Sequence, residues 1–189
     1  LCCLAFLGGI AMSSAHSAEI WPQGLNRVRE AAAAPFAVAT EGRPTASIAV
    51  VSDSELVRNA AEWLSAFVQD RSGASVRLGG AELLAAGGRC LVAIVGDAHP
   101  LAQRLVAAGK LRFDPRVGPQ GFVIERASDA QAGEMLVCWS PAELGCRYGL
   151  LEILRSLKAE GRTVSTDLGR VVDRPQFPLR ICYLNFAEH

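Results

Sequence analysis

The sequence lacks an excess of charge of either sign, since 19 Lys and Arg residues are balanced by 19 Asp and Glu residues. A neutral chain presents no basic face to phosphates, so we expect no nucleic-acid partner. No GxGxxG or GxxxxGK(S/T) motif follows a predicted strand, which argues against a nucleotide-binding protein. No two cysteines have CxxC spacing, and no His lies at zinc-ligand spacing from them. We therefore expect neither a metal site nor a cofactor.

Long apolar runs are also lacking. The first 18 residues, LCCLAFLGGIAMSSAHSA, are apolar but interrupted by Gly, Ser and His, and a membrane span needs about 20 apolar residues. Small residues at the end of this segment are typical of a secretory signal peptide. We expect cleavage near Ser17 or Ala18, a secreted or periplasmic protein and no stable membrane insertion. An uncleaved anchor is the alternative.

The six cysteines form no disulfide framework. Two lie in the predicted signal peptide, and the other four are Cys90, Cys138, Cys146 and Cys182. These four lie in apolar strands or on an apolar helix, which favours buried free thiols. A disulfide between Cys138 and Cys146 stays open for an exported protein.

Alternating apolar stretches and helical periodicity predict strands and helices in the first half. Strands are predicted at residues 35–40, 45–51, 75–78 and 90–96. A helix is predicted over residues 52–73, with Ser52 in a capping box and an apolar stripe that includes Trp63. A second helix is predicted to begin at Asp97 and to stop at Gly109.

The second half predicts an antiparallel hairpin followed by the clearest helix of the chain. The hairpin comprises GPQGFVIER and EMLVCWS, joined by a polar segment that contains Asp129. The helix covers residues 140–161, with Ser140 as the predicted N-cap and Pro141 after it. Gly145 and Gly149 are four residues apart, so they predict a flat strip where this helix lies close to the sheet.

Three segments resemble the accessory domain that precedes the catalytic barrel in exo-acting glycoside hydrolases, the β-N-acetylhexosaminidases and α-glucuronidases above all. The matching positions are Gly118, Pro119, Gly121 and Phe122, then Tyr148, Gly149 and Leu154, then Asp173, Pro175, Phe177, Pro178 and Arg180. The resemblance implies an α+β domain, a sheet with helices packed on it, followed by the first strand of a truncated (β/α)₈ barrel. It divides the chain into a signal peptide (1–18), an accessory domain (19–172) and a linker with the first barrel strand (173–189).

The resemblance also implies a function. The chain is expected to be the N-terminal, non-catalytic portion of a secreted glycoside hydrolase that acts on terminal sugars, supporting the barrel through intramolecular contact. Its acid and base would lie on later strands, so the carbohydrate substrate binds through the barrel. Arg180 matches an arginine that binds hydroxyls of the terminal sugar; pairing with Asp173 is its structural alternative. Asn185 and Glu188 lie at the far end of that strand as further substrate-binding candidates, although YLNFAEH departs from both families there.

A free-standing carbohydrate-binding or interaction module without enzymatic activity is the competing interpretation. It requires exposed aromatic side chains, for which Trp21 and Trp139 are the candidates. Asp97 with His99 is interpreted as a helix start beside a surface histidine, and Asp129 as a turn residue that makes local hydrogen bonds.

Overall fold

The computed structural model of the protein describes residues 26–175, which form nine strands and three α-helices. The strands are β1 (Asn26–Thr40), β2 (Arg43–Pro44), β3 (Ser47–Val51), β4 (Leu78–Gly79), β5 (Arg89–Val95), β6 (Phe122–Asp129), β7 (Gly133–Ser140), β8 (Lys158–Glu160) and β9 (Thr163–Arg174). The helices are α1 (Glu55–Ser72), α2 (Pro100–Ala107) and α3 (Glu143–Ser156), with a 3₁₀ helix at Ala81–Ala86. The predicted α+β class is confirmed, whereas the predicted barrel strand lies outside the described residues.

All nine strands belong to one mixed sheet. Its order is β2-β1-β9-β6-β7-β5-β3-β4, and β8 pairs with the start of β9. The parallel half consists of β4, β3, β5 and β7, whose neighbours run in the same direction. The antiparallel half consists of β6, β9, β1 and β2, and β6 joins it to β7 in antiparallel pairing.

The parallel half is apolar on both faces. Its central strand β5 has the sequence RCLVAIV, in which every residue from Cys90 to Ile94 is buried. Leu91 and Ala93 pack in the core formed with α1 and α3, while Val92 and Ile94 pack in the core formed with α2. Continuous apolar runs are typical of parallel strands, because helical connections cover both sides of the sheet.

The antiparallel half has one apolar face and one charged face. Phe36, Leu168 and Val171 are fully buried in the core beneath α1 and α3. Successive side chains of a strand point to opposite faces. Glu125, next to the buried Ile124 on β6, therefore lies on the other face, where its carboxylate is 3.3 Å from the guanidinium of Arg170. Apolar and charged side chains thus alternate along these strands, as is common in antiparallel sheets.

Each predicted helix begins later than the sequence pattern indicates. Helix α1 has Ser54 as its N-cap, and Ser52 instead accepts a hydrogen bond from the Ser54 amide at 3.1 Å. His99 caps α2, since its Nδ1 accepts from the Leu101 amide at 3.2 Å, and Asp97 lies outside the helix. The predicted caps at Ser52 and Asp97 are therefore wrong, because the chain uses those residues to turn away from the preceding strand.

The limits of α3 also differ from the prediction. Ser140 is the last residue of β7, and its hydroxyl donates to the Gly121 carbonyl at 2.7 Å, so it is not the N-cap. The helix ends at Ser156, and Lys158–Glu160 forms a short strand instead. Ser156 is held by hydrogen bonds to the Ile153 carbonyl and to Thr166, each 2.7 Å long. Packing on β9 therefore ends the helix before Gly161.

Two strands are longer than the sequence pattern indicates. The prediction for β1 began at residue 35, but the strand begins at Asn26 and pairs with β9 along its length, with three register shifts. The linker was predicted to begin at residue 173, yet β9 continues to Arg174. Both strands carry charged residues on the exposed face, so the alternation of apolar and polar residues is hard to recognise in their sequence.

Two tryptophans lie in environments opposite to those predicted. Trp63 was placed in the apolar stripe of α1, but it is 50% exposed. Trp139 was a candidate for an exposed ring, but it is only 6% exposed and stacks on Phe113 with 4.1 Å between ring centroids. The indole N–H of Trp139 donates to the Gly96 carbonyl, which fixes the ring inward.

Cys90, Cys138 and Cys146 are buried free thiols, as the apolar pattern predicts. Cys138 on β7 adjoins Cys146 on α3, and its thiol lies 3.5 Å from the Cys146 carbonyl. The neighbouring Cys146 side chain, followed by burial, raises the pKa of Cys138 well above its usual value. The open choice between thiols and a disulfide is thus resolved as thiols in this structure, and Cys182 lies outside the described residues.

Candidate functional site

The predicted substrate-binding residues lie outside the part of the chain that the structure describes. Arg180, Asn185 and Glu188 all follow residue 175, so their roles stay predictions. Most of the motif residues, however, lie between Gly118 and Pro175 and are described. Their arrangement shows what this end of the domain does.

The three motif segments meet at one place, which we call the exit corner: residues 118–122, 145–149 and 173–175. Phe122 at the start of β6 pairs with Asp173 near the end of β9. Gly121 and Gly118 form a tight turn, with an N–H···O distance of 2.8 Å. Segments that are distant in the sequence are thus neighbours where β9 ends.

Helix α3 lies directly on this corner because of its two glycines. The Gly145 amide donates to the Pro119 carbonyl at 3.1 Å. A Cβ at Gly145 would overlap the Gly121 carbonyl oxygen, and one at Gly149 would lie 3.1 Å from Phe122 Cγ and overlap Cys138 Sγ. The predicted flat strip is therefore confirmed, and it lies over the start of β6.

The linker is packed against the same turn. A Cβ at Gly121 would lie 2.5 Å from the Asp173 carbonyl oxygen and 3.1 Å from Pro175 Cδ. Since real Cβ atoms do not approach a backbone atom so closely, only glycine fits at Gly121. The turn and the linker therefore fix each other's position.

A buried carboxylate ties the end of β9 to the loop after α2. Asp114 accepts hydrogen bonds from Arg174 Nε at 2.6 Å and from Arg116 Nε at 3.1 Å. Its side chain is 10% exposed and that of Arg174 is 14% exposed. The hydrogen bonds from Arg116 and then from Arg174 hold the pKa of Asp114 well below its usual range. Asp114 is thus ionised at any neutral pH and anchors the strand end.

A second ion pair ties the start of β1 to α3. The Arg27 guanidinium pairs with Glu152, whose side chain is 8% exposed. Asn26 and Arg174 are partners in the β1–β9 ladder, so the first and last strand residues lie side by side. Both ends of the described chain therefore lie at the exit corner.

The polar candidates His99 and Asp129 are both engaged in local hydrogen bonds. His99 Nδ1 is engaged as a helix cap, and burial followed by the charge of Arg104 lowers the pKa of this histidine. Asp129 accepts from the amides of Gln131 and Ala132, which lower its pKa, so its predicted role as a turn residue is confirmed. Among residues 26–175 no group of His, Cys, Asp and Glu is arranged to hold a metal ion, and no helix is long and apolar enough to span a membrane.

Sequence reasoning missed the charged part of the site. Asp114 and Arg174 are 60 positions apart, and no local pattern links such residues. The segment FDPR carries the one available signal, since Asp followed by Pro is typical of a turn. The cation–π contact between Arg147 and the exposed ring of Trp63, 5.7 Å from the centroid, was also missed.

Comparison with known proteins gives only distant similarities. No protein-family model and no curated protein matches the chain. Among solved structures, the GH20 β-N-acetylhexosaminidase of Streptomyces coelicolor A3(2) is similar over 79% of this chain and 25% of its own, at 18% identity and a TM-score of 0.47. A GH115 4-O-methyl-α-glucuronidase is similar over 62% and 14%, at 21% identity and 0.45. The GH20 exo-β-N-acetylglucosaminidase of Vibrio harveyi is similar over 78% and 18%, at 15% identity and 0.45.

The chain thus spans a quarter or less of the length of these enzymes. The activity of the whole enzymes extends to this chain only as a proposal.

Proposed function

We propose that the chain is the N-terminal, non-catalytic portion of a secreted glycoside hydrolase, whose barrel removes terminal sugars from oligo- or polysaccharides. One observation carries the proposal. The three segments that resemble hexosaminidase and α-glucuronidase accessory domains converge in space at the exit corner, where Gly121 contacts Pro175 and Gly145 contacts Gly121. Chance matches scattered along a sequence have no reason to be neighbours in the fold.

The exit corner serves to fix the direction in which the chain leaves the domain. Asp173 is buried in the sheet, Arg174 is bonded to Asp114, and Pro175 packs against Gly121. A linker held at three successive residues turns less freely than a flexible one. A barrel that begins a few residues later is therefore held in one orientation.

The α1–α3 surface beside the corner supplies the contact with the barrel. Trp63 is 50% exposed on α1, and the guanidinium of Arg147 on α3 lies over its ring. Arg147 belongs to α3, the helix whose Gly145 contacts the exit corner. Large aromatic rings and arginines are enriched at protein interfaces.

The residues beyond the corner receive their roles within the same proposal. Arg180 binds hydroxyls of the terminal sugar, because a guanidinium donates several directed hydrogen bonds. Asn185 and Glu188 lie further along the first barrel strand and complete that subsite. Residues 1–18 direct export, which places the enzyme in the periplasm or outside the cell.

The test is the activity of the product of the gene's complete reading frame. We expect it to hydrolyse 4-nitrophenyl β-N-acetylglucosaminide or an α-glucuronide, whereas the chain of residues 1–189 is inactive. Arg180→Ala should lower kcat/KM by about 10²-fold, which corresponds to about 2.7 kcal/mol of lost transition-state binding. Arg77→Ala, an exposed arginine far from the linker, is the matched control and should leave kcat/KM unchanged. A complete product that cleaves no glycoside contradicts the proposal.

A further inference from the structure

A cleft lies at the carboxyl ends of β5 and β7, outside the three segments of the exit corner, and shares with that corner its anchor Asp114. Its volume is about 360 Å³, and its lining includes Asp97, Phe113, Val117, Trp139 and Pro141. We call it the aromatic cleft. β5 and β7 are adjacent parallel strands, with Val95 beside Ser140. The space beyond the carboxyl ends of parallel strands is where open α/β sheets hold their ligands, and 360 Å³ suits a small molecule.

One wall of the aromatic cleft is rigid and apolar. The rings of Phe113 and Trp139 are stacked at 22° to one another. Trp139 is fixed by the hydrogen bond from Nε1 to the Gly96 carbonyl at 2.7 Å. Trp139 is buried, whereas Phe113 is partly exposed, so Phe113 is the ring that a ligand can cover. A preorganised wall loses little entropy on binding.

The polar groups of the aromatic cleft differ in what they can still bind. Asp114 is already bonded to Arg116 and Arg174. Asp97 is exposed and has no hydrogen-bond or ion-pair partner within residues 26–175. A carboxylate accepts hydrogen bonds and donates none. A ligand must therefore offer Asp97 hydroxyl or amide donors.

The charged side chains in the lining disfavour one of the ligand classes that fit. The two carboxylates, Asp97 and Asp114, are matched by the two guanidiniums of Arg116 and Arg174. Of these four groups only the carboxylates line the cleft, and Asp114 is already paired, so the exposed carboxylate of Asp97 opposes an anionic ligand. A neutral molecule with an apolar face and several hydroxyls meets no such opposition.

We propose that the aromatic cleft is a binding subsite for a neutral saccharide residue. One C–H face of the sugar ring stacks on Phe113, and neighbouring hydroxyls donate to Asp97. The subsite does not depend on a catalytic barrel. It would hold a sugar chain on the accessory domain whether or not the protein hydrolyses it.

The test is a titration of the full chain with N-acetylglucosamine, xylose, sodium glucuronate and choline, followed by tryptophan fluorescence and saturation-transfer NMR. Phe113→Leu removes the ring but keeps an apolar side chain, and Asp97→Asn removes the charge. Phe67→Leu and Asp53→Asn are the matched controls, since these residues are partly or fully exposed elsewhere. Circular dichroism checks that each variant is folded.

We expect saturable binding of at least one neutral sugar, weakened about tenfold by Phe113→Leu and by Asp97→Asn, which is about 1.4 kcal/mol each. The controls should bind as the parent chain does. If Phe113→Leu is unfolded, the Asp97→Asn result decides. Three results would overturn the subsite. Binding could be equal in all variants, or glucuronate or choline could bind more tightly than the neutral sugars. The third is a lack of saturation at about 50 mM sugar, a concentration well above a millimolar dissociation constant. None of these results bears on the glycosidase proposal, which rests on the exit corner.

Discussion

In the parallel half of the sheet both faces are apolar, whereas the antiparallel half carries a network of buried charges on one face. Leu91 and Val92 are fully buried on opposite sides of β5. On β6, Ile124 is equally buried, but the adjacent Glu125 binds Arg112 and Arg170. The parallel half is a packing unit, and the antiparallel half holds its strands in place with specific ion pairs.

This difference coincides with the distribution of the motif residues. The exit corner joins β6, β9 and α3, and its charged anchors Asp114, Arg174 and Glu152 all act on the antiparallel half. Charge pairs fix geometry more than they add stability. A region that must set the direction of a linker therefore benefits from them, and a region that supplies the core does not need them.

The largest expected effect comes from unpairing a buried charge in the antiparallel half. Glu125→Leu leaves Arg170, whose side chain is 16% exposed, without a carboxylate, and we expect a loss of about 3 kcal/mol. The double replacement Glu125→Leu with Arg170→Leu should recover most of it, because apolar groups of similar size substitute well for a buried pair. Urea denaturation measures both.

Leu91→Ala in the parallel half is the comparison for that experiment. It creates a cavity and should also cost about 3 kcal/mol. The stability lost there depends on the volume of the cavity. Truncating a neighbouring side chain as well should therefore increase the loss. A double replacement at Glu125 and Arg170 that is no more stable than the single one would show that the two halves do not differ in this way.

The next effect concerns the close approach of α3 to the exit corner. Gly to Ala inside a helix ordinarily stabilises by about 1 kcal/mol. Gly145→Ala should instead destabilise by about 2 kcal/mol, because its methyl group would overlap the Gly121 carbonyl. Asn59→Ala on the exposed side of α1 is the control and should change stability by less than about 0.5 kcal/mol. A stabilised Gly145→Ala chain would mean that α3 does not touch the turn.

The Asp114 anchor should make stability depend on acid. Its pKa is lowered in the folded chain by Arg116 and Arg174, so its contribution is complete above the unfolded value of about 3.9 and is lost as the pH falls below it. Asp114→Asn should therefore cost about 2 kcal/mol at pH 7, and the difference from the parent should shrink below about pH 4. Thermal unfolding from pH 2 to 7 measures this. A difference that stays constant over this range would exclude the ionised Asp114 as the anchor.

The smallest effect on the chain alone is expected at Trp63. Half of the side chain is exposed, so Trp63→Ala should change the unfolding free energy by less than about 0.5 kcal/mol. In the complete protein the same change should lower the unfolding temperature and speed proteolysis at the linker, because the ring lies at the proposed domain contact. Equal effects in both proteins would remove Trp63 from that contact.

The sequence predicted the parallel half better than the antiparallel half for a physical reason. Strands β3 and β5 are continuous apolar runs, which are visible without any partner. Strand β1 combines three register shifts with the run AAAA, and β9 alternates with charges, so neither shows a clean period. The helices were found, but their first residues were not, because Ser52 and Ser140 bond within the preceding turn.

The same difference applies to the candidate site, where a local signal was recognised in the sequence and a long-range contact was not. The spacing of Gly145 and Gly149 is a local signal, and it correctly predicted close packing of α3. The bond between Asp114 and Arg174 depends on how β9 returns beside β6, which no local pattern contains. Arg180, Asn185 and Glu188 stay predictions.

The coding DNA downstream of His189 tests the central claim most directly. We predict an open reading frame that continues for about 250 residues or more, with the strand–helix repeat of a (β/α)₈ barrel and carboxylates at the carboxyl ends of its strands. A stop codon directly after His189 would contradict the account, because the exit corner would then orient nothing.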